Sequence, residues 1–416
     1  MSRRRTRGRS FSTPQWLAII LLIVLVGYFV YREFGIGARI DSSANGPVLR
    51  IDLPTGQPNQ PTPIATQPSQ PSTPAPGTDG QPTPASNQEL EGWYDVYFTT
   101  PRYPDKPAYH QGGLDTQLVT FINSAQKTVD IAAYDFDLEN VANALSEAAA
   151  RGVRVRMVTD SDTLTNDNPK IQKAFSILKQ ANIPIVDDQR GPIMHNKFVV
   201  VDSAAVWTGS WNFTDGDTYH LNNNAIKIAS PDLAQNYTAE FEKMFVQRKF
   251  GPNKPAGVPH PILTIGGAHV ENYFAAEDKV AGHIVDHLNQ ARLSIHFLAF
   301  SFTNDAIGSA IIARAKAGVG VAGVFETTGS ETQYSEYGKM RKAKLDVLQD
   351  GNPYVMHHKV IIIDDRTVIF GSFNFTSNAD KDNDENLLIV DSPALAQAFE
   401  AEFQRIREVA LHPLKK

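Results

Sequence analysis

The chain repeats itself, and this duplication constrains the possible folds more than any other feature of the sequence. The segment MHNKFVVVDSAAVWTGSWNFT, which begins at Met194, lines up with MHHKVIIIDDRTVIFGSFNFT, which begins at Met356. Further upstream, FINSAQKTVDIAAYDF at Phe121 lines up with HLNQARLSIHFLAFSF at His287. Matching segments that occur in the same order predict two lobes with the same fold.

Strand and helix patterns alternate within each copy. Apolar runs over 128–136 and 293–302 predict buried strands. The alanine-rich runs that follow predict helices ending at Gly152 and Gly318, because glycine suits a helix C-terminal cap. Uniformly apolar runs such as FVVVD and VIIID are typical of strands that are covered on both faces. The pattern therefore predicts an α/β protein in which each lobe contains a mixed sheet.

The N-terminal segment differs from the rest of the chain. Five arginines in the first ten residues precede an uncharged run from Trp16 to Tyr31, which approaches the length of a membrane-spanning helix. We interpret residues 1–15 as a basic cytoplasmic tail and 16–31 as an uncleaved transmembrane signal anchor. A cleaved signal peptide, which would release a secreted protein, and a buried core helix are the alternatives; bulky residues occupy the expected cleavage region.

Residues 32–90 predict a proline-rich linker between this anchor and the folded body. Ten of the 26 prolines fall between Pro54 and Pro84, so the segment favours extended polyproline conformations and offers little to a core. The body should then lie outside the cytoplasm. Its predicted parts are a first lobe over 91–250, an inter-lobe linker over 251–269 and a second lobe over 270–410.

Histidine and lysine recur at a fixed spacing in the two copies. In each copy the two residues are separated by one position on a predicted strand, so their side chains project from the same face. The pairs are His195 with Lys197 and His357 with Lys359. His358 should point to the opposite side of its strand, which leaves His357 as the candidate of the histidine doublet.

These residue types suit phosphoryl transfer. Imidazole acts as nucleophile, base or acid near neutral pH, and a lysine ammonium suits a phosphate oxygen. A Gly-Ser turn with an asparagine two residues later adds hydrogen-bond donors for the same anion. The candidate phosphate-binding residues are Ser210, Asn212, Ser372 and Asn374. No Asp, Glu and His set with metal-ligand spacing accompanies the motifs in the sequence, and we predict a reaction without a metal or another cofactor.

An aspartate ends the apolar strand of each copy. Asp202 and Asp364 are candidate catalytic residues because they recur with the histidine and lysine. The alternative is that each holds the following turn by hydrogen bonds.

The doubled H-x-K-x4-D motif followed by G-S-x-N resembles the mark of the phospholipase D superfamily, over about 92–407. The resemblance implies two α/β/α sandwich lobes that are related by a pseudo-twofold axis and share one site. It also implies that one histidine attacks phosphorus to form a covalent phosphohistidine, while the other protonates the leaving group and then activates water or an alcohol. The usual order in this family would make His195 the nucleophile and His357 the acid and base.

The resemblance further implies a carboxylate about 28 residues after each histidine, where it orients the imidazole. Glu385 stands at this position after His357, but Asn223 stands there after His195. Asp215 or Asp217 could replace the missing carboxylate, or the two histidines could exchange roles.

The family includes enzymes that cleave phospholipids, transfer phosphatidyl groups or cut nucleic acids. The predicted anchor, the two motifs in one chain and the acidic body favour a phospholipid substrate; residues 91–416 carry 31 basic and 40 acidic side chains. A membrane-tethered endonuclease acting on DNA or RNA is the alternative, and the basic stretches RGVRVR at Arg151 and KMRKAK at Lys339 are compatible with it. We predict membrane attachment through the anchor and no obligatory protein partner. Both motifs are intact, which argues against a binding module that has lost its activity.

Overall fold

The computed structural model describes residues 92–413 and, as backbone only, 37–43 and 46–52. The predicted cytoplasmic tail and signal anchor lie outside these residues. No helix in the described part of the chain is both long enough and apolar enough to cross a bilayer.

One antiparallel strand pair lies within the segment that we predicted as an extended linker. It consists of β1 (Gly37–Ser43) and β2 (Gly46–Asp52). This part of the predicted linker is therefore a hairpin, and the pairing precedes the proline-rich stretch, where missing N–H groups disfavour strands.

The first lobe is built on a mixed seven-stranded sheet. In chain order its strands, together with the separate short strand β9, are β3 (Tyr94–Phe98), β4 (Thr128–Ala133), β5 (Arg154–Thr159), β6 (Ile185–Asp187), β7 (Lys197–Val201), β8 (Ala205–Gly209), β9 (Leu221–Asn222) and β10 (Asn224–Ala229). The order across the sheet is β3-β10-β8-β7-β4-β5-β6. Strands β4, β5 and β6 run parallel, and the other neighbours pair antiparallel.

Six α-helices belong to the first lobe. They are α1 (Leu114–Asn123), α2 (Glu139–Ala150), α3 (Ser161–Leu164), α4 (Pro169–Gln180), α5 (Asp215–Tyr219) and α6 (Pro231–Phe245). Helix α2 ends just before Gly152, whose φ of 91° supplies the left-handed conformation expected of a helix C-cap.

The second lobe repeats this topology and adds one edge strand. Its strands, together with the separate short strand β16, are β11 (Ile262–Ile265), β12 (Ala268–Ala275), β13 (Ser294–Ala299), β14 (Gly320–Phe325), β15 (Asp346–Gln349), β16 (Val355–Met356), β17 (Lys359–Ile363), β18 (Thr367–Gly371) and β19 (Glu385–Asp391). The sheet order is β11-β12-β19-β18-β17-β13-β14-β15, with β13, β14 and β15 parallel. Its helices are α7 (Val280–Gln290), α8 (Asp305–Lys316), α9 (Thr327–Ser330), α10 (Glu336–Lys342), α11 (Ser377–Lys381) and α12 (Pro393–Leu411).

The segment 251–269, which we predicted as an inter-lobe linker, contains β11 and the start of β12. Alternate residues of β11, Leu263 and Ile265, are buried against the core. This two-residue period is typical of a half-buried edge strand, so the second lobe begins earlier than its predicted start at 270.

Two long helices separate the sheets. The buried side chains of α6 and α12, such as Tyr237 and Phe399, pack with the facing sides of both sheets in one core. The outer face of the first sheet packs against α1, α2 and α4, and that of the second against α7, α8 and α10. The structure thus confirms an α/β fold with two mixed-sheet lobes.

Backbone bonds also join the lobes directly. Strand β16 pairs with β9 of the other lobe in parallel, and Met194 forms a parallel bridge with Asp384. The two bridges occupy equivalent places in the duplicated sequence. Each one precedes a motif histidine, so the lobes meet where the motifs begin.

Candidate active site

Each motif histidine is held in place by the opposite lobe. The backbone N–H of His195 donates to the carbonyl of Asp384 at 2.9 Å, and that of His357 donates to the carbonyl of Asn222 at 2.9 Å. Both residues are buried, with 4% and 5% of their surface exposed. The structure therefore brings the two motifs together at the interface, as a shared site requires.

Glu385 contacts His195. Its carboxylate oxygen Oε2 lies 2.7 Å from Nδ1 of His195, and the Ser372 hydroxyl donates to the same oxygen at 2.7 Å. We predict Glu385 beside His357, the histidine of its own lobe, and this prediction is wrong. The reason is the reciprocal pairing of the lobes, which places the start of β19 beside the motif of the first lobe.

His357 has an amide partner instead. Its Nδ1 lies 2.9 Å from Oδ1 of Asn223, and Ser210 donates its hydroxyl to that oxygen at 2.9 Å. Asp217 stands next to this pair: its Oδ1 is 3.4 Å from His357 Nδ1 and accepts a hydrogen bond from Asn223 Nδ2 at 3.1 Å. Asp217 therefore supplies a carboxylate to the His357 side, whereas Asp215 contacts His110 and Lys170.

The motif lysines lie beside their histidines. Nζ of Lys197 donates to the carbonyl of His195 at 2.7 Å, and Nζ of Lys359 donates to that of His357 at 2.8 Å. Each ammonium also lies over an aromatic ring, and both side chains are 1% exposed. Two desolvated cations next to two imidazoles favour the binding of an anion.

Sequence reasoning missed these aromatic rings. Tyr134 lies 4.9 Å from both the Lys197 ammonium and the His195 ring, and Phe300 lies 4.6 Å from the Lys359 ammonium and from the His357 ring. The two residues occupy equivalent positions in the duplicated segments. An aromatic residue kept in both copies was the signal that could have found them.

Burial and the lysine charges keep both imidazoles neutral. Burial, with the charges of Lys197 and Lys359, lowers the pKa of His195 well below its usual value. Burial and the charge of Lys359 lower the pKa of His357 to about 3. Neutral imidazole is the nucleophilic form. A bound phosphodiester would offset the lysine charges and raise the pKa of the histidine that must donate a proton.

Burial also shifts the charged groups around the histidines. It lowers the pKa of Lys197 to about 8 and raises that of Glu385 to about 8. The pKa of Lys359 is lowered well below its usual value by burial and by the charge of Lys197. The pKa of Asp217 is lowered, because hydrogen bonds from His357 and neighbouring donors outweigh its burial. Asp217 is thus a stable negative charge next to His357.

The reactive nitrogen of each imidazole is Nε2. The Nδ1 atoms of His195 and His357 are engaged by Glu385 and Asn223, so Nε2 is the nitrogen of each ring that is left to react. His358 lies on the other side of its strand, fully buried, where it contacts Asn224 and Glu402 at 2.9 Å each.

Asp202 and Asp364 lie away from the histidines, at the far ends of β7 and β17. The carboxylate of Asp202 accepts three backbone N–H bonds from residues 126–128 at 2.7 to 2.9 Å. Asp364 accepts the equivalent bonds from residues 292–294. The structure therefore contradicts a catalytic role for these aspartates and shows the alternative, a turn held by hydrogen bonds.

The four residues predicted to bind phosphate fall into two groups, the serines and the asparagines, which have different environments. Ser210 and Ser372 are fully buried, and their hydroxyls orient Asn223 and Glu385 instead of facing a ligand. Asn212 and Asn374 each retain a buried side-chain oxygen without a hydrogen-bond partner in the described chain. The amides of Asn212 and Asn374 remain predicted phosphate ligands. The serine hydroxyls instead hold Asn223 and Glu385 in position.

A cavity of about 790 Å³ lies elsewhere, beside β3 and α12, and none of the motif residues lines it. The chemistry of the histidines, and not the cavity volume, locates the candidate active site.

The family model described as "Cardiolipin synthase, PLD-like domain" matches residues 118–245 and 284–407, which is more than half of the chain. The chain belongs to the phospholipase D superfamily and carries the PLD-like domain twice. It is accordingly a phospholipase D-type phosphodiesterase.

Two of the similar proteins match a stretch about as long as one lobe, and a third, a solved structure, matches most of this chain. A phospholipase D of Rickettsia bellii (strain RML369-C) is 32% identical over 154 residues, covering 37% of this chain and 77% of that protein. A mitochondrial cardiolipin hydrolase of Chlamydomonas reinhardtii is 34% identical over 122 residues, covering 29% and 55%. The structure of a phosphatidylserine synthase from Haemophilus influenzae Rd KW20 matches with a TM-score of 0.56 at 12% identity, covering 77% of this chain and 87% of that one. The last likeness shows the shared two-lobe fold.

Proposed function

We propose that this enzyme hydrolyses, or transfers, the phosphatidyl group of a phospholipid through a covalent phosphohistidine on His195. The observation that carries the proposal is the contact between His195 Nδ1 and the Glu385 carboxylate across the lobe interface. A phosphorylated imidazole carries positive charge, which favours the ionised form of the Glu385 carboxyl at 2.7 Å, and the resulting carboxylate stabilises that charge directly. His357 has an amide at the same place, with Asp217 farther away.

The first step breaks the bond between phosphorus and the leaving alcohol. Nε2 of His195 attacks phosphorus, and His357 gives its Nε2 proton to the departing oxygen. Lys197 and Lys359 meet the charge on the phosphoryl oxygens. In the second step His357 takes a proton from water or an alcohol, the new P–O bond forms and the P–N bond to His195 breaks.

The donor set of the site supports a metal-independent reaction. Imidazoles supply the nucleophile and the acid, and ammonium groups supply the positive charge that a metal would otherwise provide. The two groups of His and carboxylate side chains with metal-ligand spacing in the described residues contain none of the motif residues.

We favour a phospholipid over a nucleic acid because carboxylates neutralise a basic residue in each of the two basic stretches. Arg156 of RGVRVR is buried and ion-paired with Asp130 and Glu242 at 2.7 Å. Lys339 of KMRKAK pairs with Glu336 at 2.6 Å. These cations are therefore poor candidates for phosphate backbone contacts. The relatives named phospholipase D and cardiolipin hydrolase also support a lipid substrate.

We further propose that the segment 16–31 tethers the lobes to the outer side of a membrane.

Trapping of the intermediate tests the proposed roles. The full chain is given radiolabelled phospholipid, quenched in alkali and analysed for acid-labile label on protein. His357→Asn should accumulate phosphoenzyme, because the group that activates water is missing, and His195→Asn should give none. The opposite pattern would exchange the two histidines.

Substrate and metal dependence are tested together. The full chain is assayed on phosphatidylcholine, phosphatidylglycerol and single-stranded DNA in excess EDTA, with circular dichroism showing that it stays folded. Lipid turnover is expected. DNA cleavage without lipid turnover would identify the endonuclease instead, and loss of all activity by the folded protein would contradict the metal-free reaction.

A further inference from the structure

A second cluster of chemically active side chains lies outside the motif site. Asp105 and His110 come from the segment between β3 and α1, and His220 stands at the junction of α5 and β9. Their ligand atoms all lie within 4.8 Å of one another. We propose that these three residues bind a divalent metal ion of the zinc class and that this site is structural, with no part in the phosphodiester chemistry.

The distances suit tetrahedral coordination. His110 Nε2 lies 3.0 Å from Oδ1 of Asp105, and His220 Nε2 lies 3.1 Å from Oδ2. Ligands about 2.0 to 2.1 Å from a tetrahedral zinc ion stand roughly 3.3 Å apart. The contacts of both histidines with Asp105 are therefore within a few tenths of an ångström of the spacing that a zinc ion requires.

One nitrogen of the cluster lies close to a carboxylate without forming a well-directed hydrogen bond. The Nε2 atom of His220 is inaccessible to solvent and makes no hydrogen bond with the described part of the protein, despite its proximity to Asp105. An ion pair between Asp105 and two imidazoles explains the short distances, but it leaves this buried nitrogen unsatisfied. A metal ion would satisfy it.

The surroundings fix both imidazoles in the way that metal ligands require. His110 Nδ1 lies 3.2 Å from Asp215, and a carboxylate on the second ring nitrogen is the usual support of a metal-bound histidine. The His110 ring stacks on Tyr219 with centroids 4.3 Å apart, and the His220 ring stacks on Tyr354 at 4.5 Å. Both histidine rings are therefore already held in position before a metal ion binds.

The donor set selects the metal. Two imidazole nitrogens and one carboxylate favour Zn²⁺ over Ca²⁺ or Mg²⁺, which prefer oxygen ligands. The three side chains are between 21% and 27% exposed, so an ion can enter and a water molecule can take the fourth position.

The consequence of binding concerns the loop before α1. A metal ion would join Asp105 and His110 of this loop to His220, which lies two residues before Asn222, the backbone partner of His357. The bound ion would thus stabilise the structure around the second histidine. We expect Zn²⁺ to raise the melting temperature while phosphoryl transfer proceeds without it.

Calorimetric titration of the metal-free, tag-free full chain with zinc chloride tests the proposal. One equivalent should bind with saturation, and binding should weaken at least tenfold in His110→Ala and His220→Ala. His412→Ala is the matched control, because this histidine is exposed and pairs only with Glu408 in the described residues. Calcium chloride should give no saturable signal.

Asp105→Asn provides a variant that keeps the side-chain shape, should an alanine variant fail to fold. It too should lose affinity for Zn²⁺ and the associated rise in melting temperature. No saturable binding by the wild-type chain, or equal binding by wild type and folded site variants, would overturn the proposal. Loss of phospholipid turnover in the His195 variants has no bearing on this result, so the metal site and the proposed function fail separately.

Discussion

The two lobes have the same topology but support their motif histidines with different groups. His195 has a carboxylate, Glu385, directly on its Nδ1. His357 has the Asn223 amide there, with Asp217 at 3.4 Å. The equivalent serines, Ser372 and Ser210, hold these two groups in the same way. The position 28 residues after each motif histidine, Asn223 in one copy and Glu385 in the other, thus separates a charge-stabilised imidazole from an amide-oriented one.

This difference suits a division of labour. A nucleophile that becomes a cationic phosphohistidine gains most from a direct carboxylate, whereas a proton shuttle must both gain and lose its proton. An amide orients the ring without fixing its charge, and Asp217 adds a weaker electrostatic bias. The variants below remove the supports one at a time.

Glu385→Gln should have the largest effect. The amide keeps the shape of the side chain but cannot supply the negative charge, so we expect phospholipid turnover to fall by about 10³-fold or more, by analogy with the removal of a carboxylate behind a catalytic histidine. Steady-state kinetics on the full chain measure it. Glu400→Gln is the matched control, because Glu400 also contacts a histidine Nδ1, that of His296 at 2.8 Å, outside the motif site. Equal losses in both variants would show a general effect on folding.

Asp217→Asn should reduce turnover less, by about 10-fold to 100-fold. The Asn223 amide still orients His357, but the neighbouring negative charge, which raises the pKa of that imidazole, is lost. If a second substitution, Asn223→Asp, restored the turnover, a negative charge beside His357 would be shown to be required, whichever residue supplies it. A drop as large as that of Glu385→Gln, unrescued by Asn223→Asp, would count against the division of labour.

The pH dependence of kcat/KM should follow the protonation state of Lys197. Burial lowers its pKa to about 8, so the ammonium that meets the phosphate is present below this pH and is lost as the pH rises through it. We expect kcat/KM to decline above about pH 8. Lys197→Arg should move this decline to higher pH, because a guanidinium stays protonated.

The half-buried residue Lys227, which pairs with Asp95, provides the control substitution Lys227→Arg. An unchanged alkaline limb in folded Lys197→Arg would exclude Lys197 as its source; Lys359, whose pKa is also lowered by burial and by the charge of Lys197, would then be the group to test.

The duplication allowed the fold class and the motif residues to be predicted from the sequence, since period and spacing are local properties. The partner of each histidine was not accessible in this way. Glu385 is 28 residues from His357 in the chain, yet it contacts His195, because the lobes exchange backbone bonds through Asp384 and Asn222. Which lobe a strand end faces depends on packing between lobes, and no local pattern records it.

A similar limit applied to the motif aspartates. The sequence shows only that Asp202 ends a strand and recurs with the motif. Both a catalytic residue and a residue that holds the following turn fit this observation. The orientation of its carboxylate towards three N–H groups settles the matter, and these groups belong to residues more than seventy positions earlier in the chain.

The smallest effect is therefore expected at Asp202→Asn, and it should appear in stability rather than activity. The amide oxygen still accepts part of the N–H array, but hydrogen bonds to a charged acceptor are stronger, so we expect a loss of about 1 kcal/mol in the free energy of unfolding. The three N–H groups lower the pKa of Asp202. Its contribution is accordingly present above the pKa of the unfolded state and is lost as the pH falls through the folded value. Urea unfolding at pH 7 and at pH 3 should show the wild-type advantage shrinking in acid, while kcat stays within twofold of wild type; a larger loss of kcat would restore Asp202 to the catalytic set.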